Sequence, residues 1–266
     1  MNIYDCNGQW ALVTGASSGI GAEFCRQLAA AKMNIVMVAR RKKLLEELSE
    51  ELIAKYGIQT LLLYTDLSTP NSAMEVKSGT EKAGIRIRLL INNAAFGPWG
   101  SFENTTANDY EKILQLTAIT PISLCNVYIP DLETFQSSAI INVSSPSALQ
   151  PVPYLAVYSA AKTCLHNFSL ALYGELQDKS IHVQTLLPGP TATEFDTKAR
   201  AYKSKLGETR RSPFEVVNAS LSKLNQDNPF VTTSKGTYKQ RLFAGIAPVK
   251  MIVQEVKKMF APPIGR

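Results

Sequence analysis

From residue 10 to residue 189, short runs that are apolar at nearly every position alternate with longer stretches that are apolar only every third or fourth residue. "WALVTG" (10–15) and "NIVMVAR" (34–40) are two such runs, with "GAEFCRQLAAAK" between them. "QTLLLYTD" (59–66), "IRLLINNA" (87–94), "AIINVSS" (139–145) and "IHVQTLLPG" (181–189) continue the series. Runs without alternation predict strands buried on both faces, and a 3.6-residue period predicts the helices that cover them. Residues 41–56 show the helical pattern well, with Leu44, Leu45, Leu48, Leu52 and Ile53 on one side and charges opposite. The alternation predicts an α/β fold: a doubly wound parallel sheet of Rossmann type in a single domain over residues 1–266.

Two segments break the pattern. Residues 190–212, "PTATEFDTKARAYKSKLGETRRS", are polar and predict a loop, taken as a small lid near 190–225. Its Phe195 and Tyr202, with the cations Lys198, Arg200, Lys203, Lys205 and Arg210, suit either closure over an anionic or amphipathic substrate or simple solvation. The tail "VKMIVQEVKKMFAPPIGR" predicts a basic amphipathic helix, for which packing or oligomer contact is favoured over contact with a membrane surface.

Composition narrows the function classes. With 266 residues, 45% hydrophobic and 19% charged, the chain can bury the core of one large α/β domain. A net charge of +6 without a basic module gives no reason to expect nucleic-acid binding, and it suits phosphorylated ligands. Cys6, Cys25, Cys125 and Cys164 are scattered without CxxC spacing, which predicts free thiols in a reducing compartment. Two histidines, His166 and His182, give no basis for a histidine metal site. The N-terminus lacks a signal-peptide pattern and no run of 18 apolar residues occurs, so a cytoplasmic location is expected.

The polar motifs fall at the ends of the predicted strands, where a doubly wound sheet binds ligands. "TGASSGIG" (14–21) follows the first strand and opens a helix. Gly15 suits the tight turn, Gly19 lets the backbone approach a pyrophosphate, and Gly21 permits close helix–strand packing. The helix N-terminus, with Ser17, Ser18 and Ile20 in its first turn, then faces the phosphates. The second strand ends in "VARRKK" rather than in an acid, and the guanidinium groups of Arg40 and Arg41 suit a ribose 2′-phosphate. NADP(H) is therefore expected over NAD(H), although the charges also fit a solvated first helical turn. Asp66, ending the third strand beside Leu67, suits either an acceptor for the adenine amino group or a turn. In "VYSAAK" (157–162), Tyr158 and Lys162 are four residues apart, roughly 5–6 Å on a helix surface. An ammonium that close favours the phenolate and makes the tyrosine a candidate general acid/base.

Together with "INNAA", these motifs resemble the short-chain dehydrogenases/reductases from about residue 8 to residue 195, and "PVPYLAVYSAAK" is most similar to bacterial DltE-like members. The resemblance implies an NADP(H)-dependent oxidoreductase acting on a carbonyl or secondary alcohol. It places the active-site serine thirteen residues before the tyrosine, at Ser145, with Ser144 as the alternative. It implies that Tyr158 exchanges a proton with the substrate oxygen, that Ser145 polarises that oxygen, and that Lys162 acts on Tyr158 and on the nicotinamide ribose. It also implies a cofactor wall from Asn92 and Asn93, contacts to the carboxamide from "PGPTATEF" through Pro188, Gly189, Thr191 and Thr193, and a homodimer or homotetramer built near residues 107–130 and 157–178. The family's "NNAG" is here "NNAA", ending in Ala95, and the helix asparagine whose kink holds a relay water is replaced by Thr117, with Thr120 nearby. A modified relay keeps open an alternative, a non-catalytic NADP(H)-binding sensor or scaffold. Epimerisation or dehydration on the same scaffold usually belongs to longer chains, and no serine elbow with a histidine partner supports a hydrolase. Phe96 and Trp99 suit either pocket walls or ordinary packing.

Overall fold

The computed structural model describes residues 1–195 and 210–261. Seven strands form one sheet: β1 (Trp10–Thr14), β2 (Asn34–Val38), β3 (Thr60–Leu63), β4 (Ile87–Asn92), β5 (Ser138–Val143), β6 (Ile181–Leu187) and β7 (Phe230–Thr232). Their order is β3-β2-β1-β4-β5-β6-β7, and every pairing is parallel. The chain winds from β1 outward to β3, then returns to β4 and winds the other way. The two carboxyl-end crevices therefore meet between β1 and β4, the position at which such sheets hold ligands.

Alternate side chains of each strand feed two cores. Ala11, Val13, Ile35, Met37, Leu89 and Ile91 pack under α1 (Gly19–Ala30) and α2 (Lys42–Tyr56). Leu12, Val36, Val38, Leu90, Ile140 and Val183 pack under α3 (Ser72–Lys82), α5 (Thr120–Leu132) and α6 (Ala156–Leu176). A sheet buried on both sides explains why its strands lack alternation in sequence. Gly57, in the left-handed region at φ 66°, ends α2.

Helix α4 (Ala107–Leu114) runs into α5 through a π-helical turn at Gln115–Ile119. The continuous run Ala107–Leu132 is long and apolar enough to cross a bilayer by length and composition. Leu124, Cys125, Tyr128 and Leu132 on it are buried against the sheet, so it is a core helix.

Two expectations change. The lid near 190–225 is too long, because α7 (Pro213–Leu221) is regular and buries Val216, Val217 and Leu221. Its start is a capping box: the Ser212 hydroxyl accepts from the Glu215 amide and the Glu215 carboxylate accepts from the Ser212 amide. Lid residues Lys198, Arg200, Tyr202, Lys203 and Lys205 lie outside the described residues. Strand β7 adds a seventh member that the sequence pattern does not predict. After it come α8 (Thr237–Ile246) and α9 (Val249–Phe260), whose buried Ile252 and Val256 pack with Val152, Leu155 and Phe260. The tail helix thus packs on its own chain.

Candidate active site

A cavity of about 980 Å³ opens along the carboxyl ends of the strands, from the Gly-rich turn to helix α9. At one end lies the turn after β1. Gly15 and Gly19 adopt φ of 66° and 57°, a conformation open to glycine at no steric cost. A Cβ on Gly19 would stand 3.0 Å from Cγ2 of Thr193, and one on Gly21 would stand 2.3 Å from the Gly15 carbonyl oxygen. Gly21 therefore packs beneath the turn and does not line the cavity, whereas Gly15, Ser17, Ser18, Gly19 and Ile20 do. The backbone cradle stays open because no side chain fills it, and the α1 N-terminus points into it. A pyrophosphate fits this geometry.

The two arginines play unequal parts. Arg41 reaches back over the turn, donating from Nε and Nη2 to Ser17 Oγ at 3.1 and 3.0 Å, from Nη2 to Ser18 Oγ, and from Nη1 to Glu194 at 2.8 Å. Arg40 is exposed and pairs with Asp66 at 3.6 Å. Burial opposes ionisation of Asp66, but hydrogen bonds from Ser68 and the charge of Arg40 outweigh it and hold the carboxyl below its usual range. Asp66 and Leu67 both line the cavity. Asn93 ties this end together: its amide donates to Thr14 Oγ1 at 2.9 Å and its side chain donates to the Thr14 carbonyl at 2.9 Å. Asn92 instead turns inward, donating to Asn142 at 2.8 Å. Ala95 lines the cavity.

At the centre, Ser145, Tyr158 and Lys162 line the same wall. Ser145 ends the turn after β5 and its Oγ accepts from both the amide and the hydroxyl of Ser147, at 3.2 and 2.9 Å. Both acceptor positions are thereby filled, which leaves the Ser145 proton for an acceptor in the cavity. Ser144 is buried and donates to the Lys162 carbonyl at 3.0 Å. Lys162 is 2% exposed, and its Nζ donates to the Val143 carbonyl at 2.6 Å and lies 5.7 Å from the centre of the Tyr158 ring. Burial brings its pKa down to about 7. Tyr158 packs beside Phe195, with ring centres 5.6 Å apart and planes tilted by 48°.

Pro188, Gly189, Thr191 and Thr193 line the cavity after β6. The Thr191 hydroxyl donates to the Gly189 carbonyl at 2.7 Å, and Thr193 Oγ1 accepts from the Phe195 amide at 3.3 Å. Thr117 does not line the cavity; it is buried in the π-turn, where its hydroxyl has no hydrogen-bond partner among the described residues. The π-turn supplies the kink without an asparagine. Thr120 is committed elsewhere, donating to the Leu67 carbonyl at 2.8 Å, so it does not substitute in a relay.

The far end is mostly apolar, with Gln150, Gln240 and Glu255 among its lining. Phe96 and Trp99 line it with Val152, Leu155, Ile252 and Val256. Trp99 Nε1 donates to the Phe260 carbonyl at 2.8 Å, pinning α9 over the cavity. Three contributors escape a reading of the sequence: Ser147, the α9 wall, and Gly97, where a Cβ would stand 2.6 Å from Cδ2 of Tyr158. Ser147 and Gly97 sit close in sequence to recognised motifs, and that proximity is the one signal they leave.

The geometry defines a dinucleotide cradle joined to a Ser–Tyr–Lys wall and an apolar chamber. Residues 9–204 match the short chain dehydrogenase family, and the chain belongs to it. Very-long-chain 3-oxoacyl-CoA reductase of Homo sapiens is 31% identical over 196 residues, covering 71% of this chain and 61% of the relative. This chain therefore spans about three-fifths of that relative's length. Among solved structures, a short-chain dehydrogenase from Sphingobium yanoikuyae in complex with NADPH superposes with a TM-score of 0.80 at 26% identity, covering 97% of this chain and 98% of the other. The bulky-bulky ketone specific alcohol dehydrogenase from Comamonas testosteroni superposes with a TM-score of 0.76 at 25% identity, over 98% of each chain.

Proposed function

We propose that the protein is an NADP(H)-dependent oxidoreductase that interconverts a bulky, largely apolar ketone and its secondary alcohol. The observation that carries this reading is the continuity of one cavity, from the Gly-rich cradle past Ser145, Tyr158 and Lys162 to the apolar chamber. The nicotinamide cofactor supplies or accepts the hydride when bound. Ser17, Ser18 and Arg41 hold its ribose phosphate, the α1 N-terminus its pyrophosphate, and Pro188, Gly189, Thr191 and Thr193 its carboxamide end. The complex of the Sphingobium relative with NADPH supports the choice of cofactor.

The protein's own groups then handle the substrate oxygen. Ser145, with its acceptor positions filled by Ser147, donates a hydrogen bond to that oxygen and polarises the carbonyl while keeping its own proton. Tyr158 delivers the proton that completes the alcohol, or removes it in the oxidative direction. Lys162 stabilises the phenolate so formed. Phe96, Trp99 and α9 exclude water from the apolar part of the substrate. An assembly through the α4–α5 and α6 region is also proposed, on the exposed apolar Leu114 and Ile119.

Initial rates with NADPH and a series of aryl and alicyclic ketones test the reading. NADPH consumption that depends on the ketone is expected. Tight NADPH binding without consumption across the series would instead favour a sensor or scaffold.

A further inference from the structure

The last two described helices carry an exposed apolar stripe, of which Tyr238 alone has a ring neighbour, Phe230 at 5.6 Å, among the described residues. Tyr238, Leu242 and Ile246 are spaced four residues apart on α8 and are 63%, 66% and 75% exposed; Val249, which opens α9, is 67% exposed. Spacing of four places the three on one helix face. Solvent-exposed apolar residues occur singly on most proteins, but a stripe of four large ones marks a contact surface.

Charge identifies the partner. Lys235, Lys239, Arg241, Lys250, Lys257 and Lys258 fall within the segment that carries the stripe, against the single carboxylate of Glu255, which is paired with Lys258 at 2.6 Å. A second copy of the chain, docked symmetrically, would set these cations against the same cations. An anionic lipid surface neutralises them while the apolar side chains enter its acyl boundary, which is how amphipathic helices bind in the interface plane.

The stripe also borders the cavity. Phe243 and Met259 are half-exposed beside it and line the apolar chamber, and Lys239 lines the chamber's rim. We propose that α8 and the start of α9 dock the protein on anionic bilayers, with the mouth of the chamber turned toward the lipid so that apolar substrates enter from the membrane. The docking step stands on the surface alone; only the delivery of substrate rests on the function proposed above.

Co-flotation of the full-length protein with phosphatidylcholine vesicles, with and without phosphatidylserine, tests the docking. The protein is expected to float with the phosphatidylserine vesicles and to be released by added salt. The double variant Leu242→Glu/Ile246→Glu should weaken vesicle binding by about tenfold or more, since two apolar anchors become charges that the lipid repels. Its turnover of a water-soluble ketone should match wild type, which separates failure of docking from failure of the chemistry. Wild-type protein that stays with the soluble fraction, or a double variant that floats as well as wild type, would overturn the proposal. So would light scattering that shows a dimer dissociated by the same two substitutions, because a second copy would then cover the stripe.

Discussion

Burial of the Lys162 ammonium sets a pH dependence that is readable in stability. The perturbation is Lys162→Met, which keeps an unbranched apolar stem, one atom shorter, and removes the charge. In the folded chain burial lowers the lysine pKa from 10.5 to about 7. Between these values the unfolded chain holds a proton that the folded chain does not, so stability rises with pH across the window and the rise ends below it. One such group contributes about 1.4 kcal/mol per pH unit, or roughly 2 kcal/mol between about pH 7.5 and about pH 9. The buried thiols of Cys25 and Cys125 are pushed up by the same desolvation and add an opposite slope. They are present in wild type and variant alike, so the difference between the two isolates Lys162. Urea unfolding at several pH values supplies the free energies. Any stability advantage of the methionine variant at neutral pH should shrink by roughly 2 kcal/mol toward pH 9. A difference that stays constant with pH would refute the reasoning, since the ammonium would then cost no more to hold in the fold than in water.

Other outcomes follow from particular contacts. Arg41→Ala should weaken NADPH binding by about tenfold or more and spare NADH, because it removes a charged fork facing Ser17 and Ser18, whereas Arg40→Ala should act only a few-fold; fluorescence titration with each cofactor reads both. Gly97→Ala should lower kcat by about tenfold or more by pushing the Tyr158 ring off its position, since the added Cβ would meet that ring at 2.6 Å; unchanged kcat would mean the loop yields. Ser147→Ala removes the hydroxyl that donates to Ser145 and keeps the backbone amide, so it frees one of the two acceptor positions; a several-fold fall in kcat with little change in NADPH affinity is expected in steady-state rates.

Much of the site is legible because its chemistry is local in sequence. The Gly-rich turn, the strand ends and the Tyr158–Lys162 pair are each contained in a few residues, and the parallel sheet shows itself through strands without alternation. What escapes depends on residues far apart in the chain. Trp99 meets Phe260 across 161 residues, so the role of the tail helix as a chamber wall leaves no local pattern. Arg40 and Arg41 read as equals until the fold sends one toward Ser17 and the other toward solvent. Strand β7 has three residues, too few to show a period. Helix α7 was hidden by the polar composition around it, although its "SPFE" start carries a capping box and could have been found.

The central claim is that Tyr158 performs proton transfer in a cavity that holds NADP(H) independently of it. The direct measurement compares wild type with Tyr158→Phe, recording NADPH binding by fluorescence and NADPH consumption with the best ketone of the series on the same preparations. The account predicts that the variant binds NADPH within a few-fold of wild type and loses turnover by several orders of magnitude. Near-normal turnover by the variant would contradict it and move the acid/base role to another group on the cavity wall.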